Sequence, residues 1–155
     1  AAAGAGFDAE QGRRLALQPD AWRPALEASL SAASEKTEVV TVLNAGCGAG
    51  VLSCFCARMG ARVVAIDPSD EALGLARGLA HANGVGRSVR LLQGHAGGAG
   101  AENGAACDVL VSERLLGDAR FSPTLLDLMS ARRQHLRPGG RVVPPRARLR
   151  LEAAD

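Results

Sequence analysis

Three glycines at alternate positions, Gly46, Gly48 and Gly50, follow the apolar run Val42-Leu43-Asn44-Ala45. A strand that runs into a Gly-rich turn and then a helix presents bare backbone N–H groups and a helix N-terminus to a ligand, with no side chains to hold it off. Further on, Val63-Val64-Ala65-Ile66-Asp67 has the look of a second buried strand ending in one carboxylate. An acid in that position reaches a ribose diol in nucleotide-binding α/β sheets. Another strand-end acid, Glu113, follows Asp108-Val109-Leu110-Val111-Ser112. A dinucleotide site of the NAD type wants glycines at relative positions one, three and six, and the sixth position here is Val51. The observed pattern is one, three, five. The four cysteines, Cys47, Cys54, Cys56 and Cys107, show no CxxC spacing and no nearby histidine, so neither a metal site nor a disulfide framework is indicated. Reduced thiols are the plain reading.

The elements that must position these groups follow from pattern and composition. A chain of 155 residues with 47% hydrophobic and 22% charged residues fits one domain with a real core. A net charge of +2 does not suggest a nucleic-acid surface or a polybasic membrane anchor, and no apolar run approaches the roughly 18 residues of a membrane span. A soluble protein is expected. The start at alanine rather than methionine suggests a piece cut from a longer parent. Residues 1–12 lack periodicity and are expected to form a mobile tail. Residues 15–33 have a helical pattern in which Pro24 suits a first turn, which predicts a helix from about Arg23 to Ala33. Residues 51–59 suit a helix buried against a sheet, ended by Gly60. Ser69 should cap the next helix, with Asp70 and Glu71 in its first turn and Asn83-Gly84 stopping it. Gly74 and Gly78 inside it each cost about 1 kcal/mol relative to alanine, so packing must hold it.

Val89 to Leu92 predicts a third strand. Residues 94–104 form a low-complexity loop with no core-forming residues, expected to be mobile. Residues 108–112 form the fourth strand. Ser122-Pro123 then reads as cap and first-turn proline of a helix with Leu125, Leu128, Met129 and Leu136 inward, broken by Pro138-Gly139-Gly140. Arg141-Val142-Val143 is the fifth strand, and residues 146–151 alternate as a half-buried strand. Strands alternating with helices imply an α/β fold: a mostly parallel twisted sheet with helices on both faces and the ligand at the carboxyl ends of the strands.

The glycine spacing with the acid of the second strand resembles the S-adenosylmethionine-binding motif of class I methyltransferases. Residues 48–61, Val109-Leu110-Val111-Ser112-Glu113 and Leu136-Arg137-Pro138-Gly139-Gly140-Arg141-Val142-Val143-Pro144 are similar, more narrowly, to segments of the protein arginine methyltransferases. Asp20 and Arg23 match that family's Asp-x-x-Arg. The resemblance implies a Rossmann-like class I methyltransferase fold over residues 13–145, with residues 146–155 leading into a C-terminal β-barrel that lies beyond the chain. It implies S-adenosyl-L-methionine as cofactor, bound by Arg23, Asn44, Gly46, Cys47, Gly48, Gly50, Asp67 and His95, and Glu113 as the catalytic acid. Arg23 would grip the cofactor carboxylate, although it reads equally well as a solvated helix-end arginine. His95 lies where adenine contacts arise, or is an exposed loop histidine.

The resemblance further implies protein substrates with arginine side chains, histones or RNA-binding proteins among them, no direct contact with nucleic acid or membrane, a dimeric or tandem-domain parent, and a cytoplasmic or nuclear location. A guanidinium has a pKa of about 12.5 to 13.8, so its neutral form costs on the order of 8 kcal/mol at pH 7. A carboxylate bound to its N–H groups can localise charge away from the attacking nitrogen. Two departures stand against full activity. Ser122, which reads better as a helix cap, occupies the position of the family's second glutamate, with Asp118 the only other acid of that loop, and Asn44 stands where the family usually has an acid. The alternative is a catalytically impaired module with a structural or regulatory role; a small-molecule methyltransferase is disfavoured by the segments just quoted.

Overall fold

Five short apolar runs pair side by side in the computed structural model, which describes residues 19–98, 106–112 and 123–145. In chain order the elements are α1 (Pro19–Ser34), β1 (Thr41–Ala45), α2 (Val51–Arg58), β2 (Arg62–Asp67), α3 (Asp70–Ala82), β3 (Val89–Gln93), β4 (Cys107–Val111), α4 (Pro123–His135) and β5 (Leu136–Val143). The sheet order is β3-β2-β1-β4-β5 and every pairing is parallel. β1 is therefore central, and the strand order reverses beside it, between β1 and β4. That reversal opens a crevice at the carboxyl ends of the strands.

Parallel strands covered on both sides must send alternate residues to two cores. Val42 of β1, Val63 and Ala65 of β2, and Val109 and Val111 of β4 pack with Trp22, Leu26 and Leu30 of α1 and Leu52 and Cys56 of α2. Leu43 and Ala45, Val64 and Ile66, and Leu110 pack on the other face with Leu128 and Ala131 of α4. The fold expected from the sequence is thus present, with helices on both faces. α3 packs through Ala72, Leu73, Ala76 and Ala80, while Gly74 and Gly78 face open space. Ser69 caps it as expected, its Oγ accepting from Ala72 N at 3.1 Å. Among the described residues no helix is long and apolar enough to cross a membrane.

Four local expectations are corrected. α1 begins at Pro19, with Pro24 inside it rather than in its first turn. Pro24 removes one backbone hydrogen bond, whereas burial of Trp22 and Leu26 and an edge-to-face contact of Trp22 with Phe55, 4.9 Å between centroids, favour continuing the helix. β5 starts at Leu136, which pairs with Cys107 and so leaves the helix. The next paired positions are Val109 and Arg141, so residues 137–140 bulge out of the ladder, where a proline is tolerated. Met129 is 45% exposed and does not face the core. Ala96, in the segment expected to lack core residues, is buried against the α4 face of the sheet. The remaining tail and loop expectations, for residues 1–12, 99–104 and 146–155, fall outside the described residues.

The bulge in β5 surrounds Asp108, whose Oδ2 accepts from Thr41 N at 2.8 Å and whose Oδ1 accepts from Arg137 at 2.6 Å. Burial, reinforced by this neighbouring carboxylate, pushes the Cys107 thiol from 9.0 up to about 11. The folded chain therefore favours the neutral thiol. Its contribution to stability is complete below the unfolded value and is lost as pH rises through the folded one. Denaturant unfolding should show a loss of about 2–3 kcal/mol between pH 8 and pH 11.5 from this group, and Cys107→Ala should remove that part of the pH dependence. An identical pH profile in the variant would contradict it.

Candidate functional site

The turn after β1 is built from glycines because its backbone is left-handed at alternate residues: φ is 71° at Gly46, 50° at Gly48 and 79° at Gly50. Gly46 N and Cys47 N both donate to Ile66 O, at 2.8 and 3.0 Å, which locks the end of β1 to β2. Gly50 N donates to Cys47 O at 2.8 Å, and Gly50 O accepts from Cys54 N at 3.0 Å, so the turn closes as α2 begins. Gly50 is needed for a second reason. A Cβ there would lie 2.8 Å from the Cβ of Ala76 on α3.

Asp67 joins this turn to the next. Its side chain is buried at the carboxyl end of β2, with Oδ2 accepting from Gly48 N and Oδ1 from Ser69 N, each at 2.9 Å. Each carboxylate oxygen can accept more than one hydrogen bond, so both keep capacity for a pair of hydroxyls. The Asp67 carbonyl in turn accepts from Gly94 N at 3.0 Å. The loops after β1, β2 and β3 therefore meet at one residue, on the edge of the sheet where a nucleotide is bound in folds of this kind.

The other predicted residues take varied places. Asn44 is buried in β1 and donates from Nδ2 to Ser53 Oγ of α2 at 2.9 Å, tying strand to helix beneath the turn. The Cys47 side chain belongs to the core, with Sγ 3.7 Å from Gly48 O. Arg23 is exposed on α1, its guanidinium carbon 5.4 Å from the centroid of the Phe55 ring on α2. That stacking leaves the guanidinium edge available to an anion. His95 is exposed just after β3. Glu113, Asp118 and Ser122, and the side chain of Asp20, lie outside the described residues. β4 does lead directly toward Glu113: Ser112, fully buried, donates its N–H to Val143 O at 3.0 Å. Among the described residues no cluster of His, Cys, Asp or Glu could hold a metal ion.

Two contributors were missed from sequence. Ser53 belongs to the helix expected over residues 51–59 and Asp127 to the helix expected after Ser122-Pro123, but neither is singled out there. Asp127 Oδ1 and Oδ2 accept from Gly97 N and Ala96 N, at 2.7 and 3.2 Å. The available signal is a polar stripe, Asp127, Ser130, Gln134 and His135, at helical spacing on a helix whose apolar residues alone are named from sequence.

Residues 42–140 match the family model described as a methyltransferase domain. Over 109 residues the chain is 38% identical to the "Probable protein arginine N-methyltransferase 6" of Arabidopsis thaliana, covering 70% of this chain and 24% of that protein. It is 37% identical over 106 residues to the ubiquinone biosynthesis O-methyltransferase of Rhizobium etli, covering 66% of this chain and 39% of that one. Among solved structures it is similar to the Trypanosoma brucei PRMT1 enzyme-prozyme heterotetrameric complex with AdoHcy, at 29% identity and a TM-score of 0.57, covering 66% of this chain and 32% of that one. The chain spans about a quarter of the length of the first arginine methyltransferase relatives it matches. The glycine turn and the acid of the second strand fall within the matched residues, and the chain belongs to the methyltransferase domain family.

Proposed function

We propose that this chain is the S-adenosyl-L-methionine-binding part of a methyltransferase whose acceptor is a protein arginine. The carrying observation is the joint between Gly48 and Asp67, a buried carboxylate fixed by two backbone amides beside a side-chain-free turn. A ribose diol fits that carboxylate, and the methionine portion fits the turn. When bound, the cofactor supplies an electrophilic methyl group on a sulfonium. The chain's own residues hold and orient it: Asp67 by the ribose, Gly46 and Gly48 by close backbone approach, Arg23 by its free guanidinium edge at the carboxylate end. The strand leading into Glu113 supports that residue as the acid that would orient an acceptor guanidinium. Similarity to arginine methyltransferases supports the acceptor class.

The four cysteines, all buried and without CxxC spacing, support a reducing compartment, the cytoplasm or nucleus. The heterotetramer of the trypanosome relative supports a full-length protein that works with a second domain or copy. One observation favours the alternative of a module that binds without catalysing. Asn44 is committed to Ser53 and carries no charge for the cofactor's ammonium group.

Titration calorimetry of the chain with S-adenosylmethionine should give saturable heat at one site, and none at all would end both readings. With the full-length parent and an arginine peptide, Glu113→Gln should lower kcat by roughly 10²–10³-fold, the usual effect of removing one charge-stabilising group. Turnover unchanged by that substitution would take Glu113 out of the mechanism. A parent that binds the cofactor yet methylates nothing would establish the module.

A further inference from the structure

The segment after β3 is gripped by the polar stripe of α4. Ala96 N and Gly97 N donate to the two oxygens of Asp127 at 3.2 and 2.7 Å. In return Ser130 Oγ and Gln134 Nε2 donate to Gly97 O, at 3.1 and 3.3 Å, and His135 Nε2 lies 3.2 Å from Ala96 O. The peptide groups of Ala96 and Gly97 are thus turned to α4. The approach is as close as glycine permits, since a Cβ on Gly97 would sit 2.5 Å from Ser130 Cβ. At the other end, Gly94 N is held by the Asp67 carbonyl. Between these anchors stands His95, the one polar side chain among residues 94–98, exposed while its neighbour Ala96 is buried.

The sheet order decides what His95 faces. β3 lies beside β2 on the side away from β1 and its glycine turn. A nucleoside whose ribose rests on Asp67, with its other substituent over the glycine turn, directs its base toward the end of β3. A Gly-rich segment has much backbone entropy to lose on ordering. A carboxylate that accepts from two successive amides removes that freedom before the ligand arrives.

We propose that Asp127 is a positioning residue for base recognition: by gripping residues 96–97 it fixes His95 against the base of the nucleoside held by Asp67. This rests on the cofactor reading above. Calorimetry on the whole chain should compare S-adenosylhomocysteine with its inosine counterpart. Asp127→Ala should weaken the adenine ligand about tenfold, the scale of one well-made hydrogen bond, and the inosine ligand less. Asp127→Asn, which keeps one acceptor oxygen, should fall between, and Gly97→Ala should reproduce the loss from the other side of the contact. In His95→Ala the adenine preference should be gone, with no further change on adding Asp127→Ala. Amide exchange of the ligand-free chain should show Ala96 and Gly97 losing protection in Asp127→Ala.

An unaltered chain that binds neither ligand overturns the cofactor reading and this proposal with it. An unaltered chain that binds, with variants whose adenine-to-inosine ratio stays at the wild-type value, overturns the positioning role alone. So does unchanged amide protection.

Discussion

Asp67→Ala is expected to lower the affinity for S-adenosylmethionine by a factor of about 10² or more, since each charge-assisted hydrogen bond to a ribose hydroxyl contributes roughly 1.5–3 kcal/mol. The loss has a second source in the protein itself. Asp67 holds Gly48 N and Ser69 N, so its removal frees the glycine turn and the cap of α3 as well as the ribose. Asp67→Asn is not a mild control. One face of an amide carries N–H₂, which would confront the N–H of Gly48 or of Ser69, so it should also bind worse than wild type by about tenfold or more. Calorimetry at a fixed ionic strength measures both, with thermal unfolding alongside to separate lost binding from lost fold. A Kd within twofold of wild type in Asp67→Ala would remove the ribose from this carboxylate.

Gly50→Ala should be strongly destabilising, since it adds a backbone penalty to a steric one. The left-handed backbone at φ 79° costs a residue with a Cβ roughly 1–2 kcal/mol. The same Cβ meets Ala76 Cβ at 2.8 Å, and overpacking of this kind typically costs a further 1–3 kcal/mol or so. Together about 2–5 kcal/mol should be lost, a Tm drop on the order of 10 °C for a chain of this size. Ala76→Gly supplies the internal test. Alone it should cost about 1 kcal/mol for a glycine inside a helix. Combined with Gly50→Ala it should return the overpacking part while leaving the backbone strain, giving a coupling of about 1 kcal/mol or more between the two sites. Strict additivity in chemical denaturation would mean that the turn and α3 do not touch at this point.

The half of the site that could be read from the sequence is the half that is local. Gly46, Gly48, Gly50 and Asp67 lie within two strands and one helix, and the backbone demands of a tight turn and the acid at a strand end are visible in residue type alone. The alternation of apolar runs with helical ones was enough to imply a parallel sheet covered on both faces. What escaped depends on residues far apart. Pro138-Gly139-Gly140 looks like a break until Leu136 is seen to pair with Cys107, and Ala96 looks like loop until α4 closes over it. Asp127 had no partner in its own neighbourhood, because the amides it grips lie 30 and 31 residues earlier. At Pro24 a local penalty was outweighed by burial on either side of it, through Trp22 and Leu26.

The central place of β1 also bears on how the chain is made. Its pairing with β2 joins Val42 to Val63, but its pairing with β4 joins Val42 to Val109. During synthesis at about 5–20 residues per second, the second edge of β1 waits roughly 3–13 s for its partner, while the first can close in a third of that time. For that interval the central strand of the sheet, the one that carries the glycine turn, presents open backbone to its surroundings. The segment that shapes the ligand site is thus also the one with most need of shelter in a newly made chain.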